Sequence, residues 1–149
     1  MSNRRSMLLL NGLHRLLLRV TGGRLGSRLG AMPVIELTTT GRRTGSARSV
    51  LLTVAARDGD SLVVVASRGG DDEHPAWYLN LVSDPNVAVR LPGRDVRAMV
   101  ARVANPSERA RLWPEVVRSY TGYAHYQART SRTIPLVLLE STTSTRRPG

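Results

Sequence analysis

A chain of 149 residues with 22 basic and 11 acidic side chains, net charge +11, holds one domain's worth of core and not two. All 22 basic residues are arginine, which excludes lysine Schiff-base and lysine general-base chemistry. The absence of cysteine excludes disulfides, thiolate nucleophiles and cysteine–zinc sites, and permits a reducing, cytoplasmic setting.

Residues 1–30 carry Arg4, Arg5, Arg15, Arg19, Arg24 and Arg28 and no acid. Leu9, Leu13, Leu16, Leu17 and Val20 recur at helical spacing while Asn11, Arg15 and Arg19 line another face. That pattern predicts a basic amphipathic helix, with Gly22-Gly23 to Gly30 as a flexible connection. Two readings stay open for the helix: packing on the core, or resting on anionic lipid as an interfacial element. Arg4-Arg5 before an apolar run is similar to a twin-arginine export signal. Asn11, His14 and Arg15 interrupt that run and no small-x-small cleavage site follows, and the same interruptions argue against a spanning helix.

Residues 31–140 read as the folded domain, short strands with helical insertions, and 141–149 as a solvated tail. Val34 to Thr39 predicts a first strand; Val50 to Ala56 a second, leading through the Asp58-Gly59 hairpin signal into Ser61 to Ala66. Pro75 to Val82 predicts a short helix. Asn86 to Leu91 and Val96 to Ala104 flank Pro92-Gly93 as a second hairpin. Asn105-Pro106-Ser107-Glu108 then opens a helix running to about Tyr120, with an N-cap, an early proline and an acidic first turn. Tyr123 to Thr130 predicts another helical turn and Ile134 to Leu139 a last strand. The class is α+β: six mostly antiparallel strands forming a small barrel, with a ligand cleft between strands and insertions.

Two loops set arginine beside glycine at strand ends, Thr38-Thr39-Thr40-Gly41-Arg42-Arg43-Thr44-Gly45 and Ala66-Ser67-Arg68-Gly69-Gly70. Glycine lets backbone N–H groups converge on one point, and a guanidinium meets phosphate or carboxylate oxygens with paired hydrogen bonds. Neither loop fits a Walker or dinucleotide fingerprint, and each is also compatible with a plain turn carrying solvated arginines. The charge favours nucleic acid, an anionic membrane or an acidic small molecule. Nucleic acid is disfavoured by aromatic content, since Trp77, Trp113 and four tyrosines do not interleave with arginines as a base-stacking platform. His14, His74 and His125 lie in different segments with no carboxylate in triad or metal spacing, so hydrolase and metal-site readings lack residues.

The run His74-Pro75-Ala76-Trp77-Tyr78-Leu79-Asn80-Leu81, then Asp84-Pro85-Asn86-Val87, is far more specific. Together with both loops, with Tyr120, Tyr123 and Tyr126, and with Arg132-Thr133-Ile134-Pro135, it resembles the deazaflavin-dependent nitroreductase family of actinobacteria over Pro33 to Glu140. The resemblance implies a split β-barrel that binds coenzyme F420, whose phosphodiester and oligoglutamate tail are strongly acidic. It implies Arg42, Arg43 and Arg48 for tail and phosphate, Ser67, Arg68 and the Gly69/Gly70 backbone for phosphate, and Trp77 and Asn80 for the coenzyme pocket. Relatives often carry lysine where this chain has Arg43 and Arg68, which changes reach while keeping charge. Ser67, Tyr120, Tyr123 and Tyr126 then line the site of the acceptor, a quinone such as menaquinone or a nitroaromatic compound.

Without the resemblance, the tyrosines also read as closing the barrel, and Trp77 as seating its helix. With it, Gly122 is expected to bend the segment so that the phenols face the cleft. A basic N-terminal helix would suit a lipophilic quinone at the membrane surface. Open barrel edges would allow two chains to associate. The alternatives are FMN in place of the deazaflavin, on fold analogy alone, and a non-catalytic split-barrel protein binding F420, flavin, haem or a lipophilic ligand.

Overall fold

The computed structural model describes residues 33–142; the expected N-terminal helix and most of the tail lie outside them. Among these residues are seven antiparallel strands: β1 (Val34–Thr40), β2 (Ala47–Thr53), β3 (Ala56–Asp58), β4 (Ser61–Val65), β5 (Asn86–Arg90), β6 (Val96–Val103) and β7 (Leu136–Ser141). They form one curled sheet in the order β2-β1-β5-β6-β7-β4-β3. Three helices join them, α1 (Ala76–Ser83), α2 (Pro106–Ser119) and α3 (Gly122–Ala128), with a 3-10 turn at Arg68–Gly70.

Alternation along β1 sends Ile35, Leu37 and Thr39 inward. There they meet Leu62 and Val64, Val87 and Val89, Met99 and Ala101, and Val137 and Leu139, with Leu81 of α1 closing one end. The opposite faces of β4 and β7 are also apolar. Val63, Val65, Leu136 and Leu138 pack under Leu112 and Val116 of α2 and Tyr123 of α3. Buried on both faces, β4 and β7 read as unbroken hydrophobic runs, not as alternating ones.

The predicted strand Val50 to Ala56 is two strands. Residues 47–53 pair with β1, whereas 56–58 pair with β4 at the other end of the sheet. At the corner between them, Val54 N–H donates to Pro33 O at 2.8 Å and Ala55 N–H to Val63 O at 2.8 Å. Two successive residues thus bind opposite ends of the sheet and close it into a barrel. From this corner toward Ala47 the ends part: β2 has no neighbour on its second edge among the described residues, and Val64 and Val65 pair with β7 alone. This split is where the arginine loops and the tyrosines gather.

The entry to α2 follows the predicted cap. Asn105 Oδ1 accepts from Glu108 N–H at 2.8 Å, and Glu108 Oε1 accepts from Asn105 N–H at 3.0 Å, a reciprocal capping box with Pro106 at the first turn. Arg102 on β6 grips Glu108 through two donors at 2.7 and 2.9 Å and reaches Glu140 on β7 at 3.2 Å. Its bonds hold the Glu108 carboxyl down to about 2. Arg111 pairs with Asp58 at 3.0 Å and fixes the middle of α2 to β3.

Candidate functional site

The first loop hangs from β1 and β2 and is shaped by glycine. Gly45 has φ +72° and donates to Gly41 O, while Gly41 N–H donates to Ser46 O at 2.7 Å. A Cβ at Gly41 would crowd Thr44 Oγ1 at 3.0 Å and Ser46 O at 3.2 Å, so a side chain there would push the turn open by a few tenths of an ångström. Asn80, 4% exposed on α1, brackets this turn: its Oδ1 accepts from Arg42 N–H at 3.2 Å and from the Arg42 guanidinium at 3.0 Å, and its Nδ2 donates to buried Thr39 at 3.2 Å. The predicted pocket residue therefore acts on the loop by holding Arg42 in place. The side chains of Arg43 and Arg48 have no hydrogen-bond or ion-pair partner among the described residues. Trp77, half-buried, packs with Tyr78 against the barrel interior and seats α1.

The second loop is the most contorted backbone described. Arg68, Gly69 and Gly70 have φ of +45°, +63° and +84° in succession, after Ser67 at φ −79°. Gly70 lies against α3, and a Cβ there would sit 2.7 Å from Tyr126 O and 2.9 Å from Tyr126 Cα. The Arg68 side chain turns to the loop's own acids, 3.2 Å from Glu73 and 3.6 Å from Asp71, so an incoming anion meets a guanidinium already engaged. Arg132, which the sequence placed in a motif but gave no role, is the hub. It donates to Asp71 O at 2.7 Å, Ser67 O at 2.9 Å and Ala66 O at 3.2 Å, and to His74 Nδ1 at 3.2 Å.

His74 must be neutral to accept that bond, and burial, with the Arg132 charge, lowers its pKa below 6.5. A depressed folded value means stability that is whole above the unfolded pKa and is lost as pH falls through the folded one. A urea-unfolding series between about pH 7.5 and about pH 5 is therefore expected to show less acid loss for His74→Gln than for the native chain. Equal slopes would count against the bond.

The tyrosines form a triangle. The rings of Tyr120 and Tyr123 are 5.2 Å apart and edge-on, with Tyr126 6.1 and 6.2 Å from them. The helical break falls at Tyr120–Thr121, just ahead of Gly122, which opens α3. Tyr123 is only 6% exposed and its hydroxyl is bonded to Thr53 Oγ1 at 2.9 Å, and burial raises its pKa. Tyr120, 43% exposed, and Tyr126 turn their hydroxyls toward one another at 3.4 Å on the exposed side. That bond, with burial, raises the Tyr126 pKa and keeps the phenol a proton donor at neutral pH.

The two ends of the site are far apart. β2 runs seven residues, about 20 Å, from the Gly41–Gly45 turn to Thr53 beside Tyr123. Among the described residues no group of His, Asp and Glu could hold a metal ion, and no helix is long and apolar enough to cross a membrane.

The profile of the F420H(2)-dependent quinone reductase family matches residues 12–141. The chain belongs to that family. An F420H(2)-dependent quinone reductase of Mycobacterium tuberculosis (strain H37Rv) is 43% identical over 131 residues, 85% of this chain and 87% of the relative. Among solved structures, an F420-H2 dependent reductase superposes with a TM-score of 0.64 at 38% identity, covering 72% of this chain and 94% of the other. A neighbour described as a domain-swapped dimer gives the same TM-score and identity over 72% of this chain and 80% of its own. Membership in the F420H(2)-dependent quinone reductases makes this chain an oxidoreductase whose cofactor is coenzyme F420. The donor set suits that coenzyme: partnerless cations on a glycine-shaped turn and a left-handed loop meet the chemistry of a phosphodiester and a carboxylate tail.

Proposed function

We propose that the split of the barrel binds F420 along its length and that the acceptor, a menaquinone-like quinone or a nitroaromatic compound, is reduced beside the tyrosine triangle. The observation that carries this reading is the separation of two unlike ends: arginines at the Gly41–Gly45 turn, and phenols beside Thr53 with Gly70 of the second loop packed on Tyr126. The reduced coenzyme supplies the hydride. The chain holds, orients and shields. Arg42, fixed by Asn80, and Arg43 and Arg48 hold the acidic tail, and the Ser67–Gly70 backbone, with Arg68, holds the phosphodiester nearer the ring. Tyr120 and Tyr126 donate hydrogen bonds to the acceptor oxygen as negative charge develops there, while Tyr123, anchored on Thr53, fixes the other two rings. Ser67 borders the same space. Docking at an anionic membrane through residues 1–30, and pairing of two chains as in the swapped-dimer neighbour, extend the reading.

A fluorescence titration with F420 and, separately, FMN tests it. Saturable F420 binding with weak FMN binding is expected, and the reverse preference would overturn the reading.

Gly122→Ala probes the acceptor end alone. A methyl there runs into the Tyr120 ring, which has open solvent to swing into, and alanine suits the first turn of α3 better than glycine. F420 affinity and melting temperature are expected to hold while quinone turnover falls roughly tenfold, the scale of one misplaced donor. Undiminished turnover would remove Tyr120 from the mechanism.

A further inference from the structure

Arg132 makes no hydrogen bond to the arginine turn or to Tyr120, Tyr123 or Tyr126, yet its guanidinium binds the carbonyl oxygens of Ala66 and Ser67. Every described peptide bond is trans. In a trans peptide the C=O and the N–H that follows it point in opposite directions, so a carbonyl drawn toward Arg132 aims its peptide's N–H away from Arg132. The two N–H groups so aimed belong to Ser67 and Arg68. Neither donates to any described residue, whereas those of Gly70 and Asp71 are used within the turn, on Ser67 O and Arg68 O.

Backbone that passes from φ −79° at Ser67 to φ +45° at Arg68 turns successive N–H groups toward one side, a concavity that accepts anions. Holding an arginine in that conformation is unfavourable unless something outside the turn enforces it. Arg132 enforces it, and it is itself held: Gln127 Nε2 donates to Arg132 O at 2.7 Å, and Thr130 Oγ1, which receives Arg132 N–H at 3.3 Å, donates to Asp72 at 2.8 Å. A cation on a carbonyl also polarises the attached N–H and strengthens it as a donor.

From this geometry we infer that Arg132 is a positioning residue that aims and polarises the Ser67 and Arg68 amides, so that the loop binds an anionic phosphate oxygen through backbone and not chiefly through the Arg68 side chain. Identifying that oxygen as the coenzyme's rests on the function proposed above. Through His74 Nδ1 the same guanidinium ties the loop to the start of α1, which carries Asn80 and the other anion turn.

Arg132→Lys tests the inference, because an ammonium keeps the charge but cannot reach three carbonyls and a ring nitrogen at once. Inorganic phosphate is expected to shift the Ser67 and Arg68 amide resonances of the native chain and to leave those of the variant unmoved. Hydrogen exchange at Gly70 and Asp71 should quicken in the variant without ligand, with Val63–Val65 unchanged. KM for F420H2 is expected to rise roughly tenfold with KM for the quinone unaltered. Equal phosphate shifts in the two proteins would overturn the inference. So would faster exchange throughout β4 and β7 together with both KM values raised, which is what a merely structural role predicts. If the native chain answers phosphate but does not bind F420, the coenzyme reading fails and the aiming role stands.

Discussion

Arg42→Ala/Arg43→Ala is expected to weaken F420 binding by about a hundredfold with little change in melting temperature. Each guanidinium that meets a phosphate or carboxylate contributes roughly 1.5–3 kcal/mol, and exposure to salt places these two near the low end, about 3 kcal/mol together. The fold should survive because the bracket does not depend on the side chain: Arg42 N–H remains bonded to Asn80 Oδ1 when the guanidinium is gone. The exposed Arg43 side chain has no hydrogen bond or ion pair to any described residue, so its truncation removes charge and little else. Titration at two salt concentrations checks the assignment. The native affinity should fall as salt rises and the variant's should scarcely respond. Binding as tight as that of the native chain would move the acidic tail away from this turn.

Arg68→Ala should be milder than either. Its guanidinium already faces Glu73 and Asp71, and those pairs are exposed, so its removal frees two acids near the loop without changing the backbone that Arg132 holds. The sequence offered Arg42, Arg43 and Arg68 alike as anion ligands, the first two for tail and phosphate and the third for phosphate. The structure separates them by what each already touches.

Signals carried by adjacent residues were legible in the chain. Asp58-Gly59 and Pro92-Gly93 turn where expected, and the Asn105–Glu108 box needs only residues three apart. Gly45, Gly69 and Gly70 mark left-handed backbone because φ above zero is costly for any other residue. Partner exchange was not legible. Val50 to Ala56 is one apolar run by composition, and nothing local says that Thr53 belongs to β1's side and Ala56 to β4's. Arg132, which was given no role, and the grip of Asn80 on Arg42, where the reading had only a place in the pocket, were hidden for a related reason. A polar residue on a short helix and an arginine between serine and threonine look solvated until contacts 38 to 66 residues away bury their donors and acceptors. Tyr123 illustrates the converse. Three tyrosines at even spacing look alike in sequence, yet the bend at Tyr120–Thr121 sends one hydroxyl to Thr53 and leaves two outside.

Gly70→Val is expected to lower stability by about 3 kcal/mol, roughly 10 °C in melting temperature, and to abolish F420 binding. Two costs add. At φ +84° a side chain costs roughly 1–2 kcal/mol, more when β-branched, and overpacking against fixed backbone costs roughly 1–3 kcal/mol. The obstacle is Tyr126 O, Cα and C at 2.7, 2.9 and 3.2 Å, none of which can rotate aside, so α3 must move off the loop and take Tyr123 and Tyr126 with it. Gly69→Ala separates the two costs. Its φ is +63° with nothing within 4 Å of the added carbon, so only the conformational penalty of about 1 kcal/mol applies and the coenzyme should still bind. Thermal melts and F420 titrations of the pair decide between the contact and the torsion. Equal losses in the two variants would mean that backbone strain alone governs the loop, and that the packing of Gly70 on Tyr126 does not couple the coenzyme end of the site to the acceptor end.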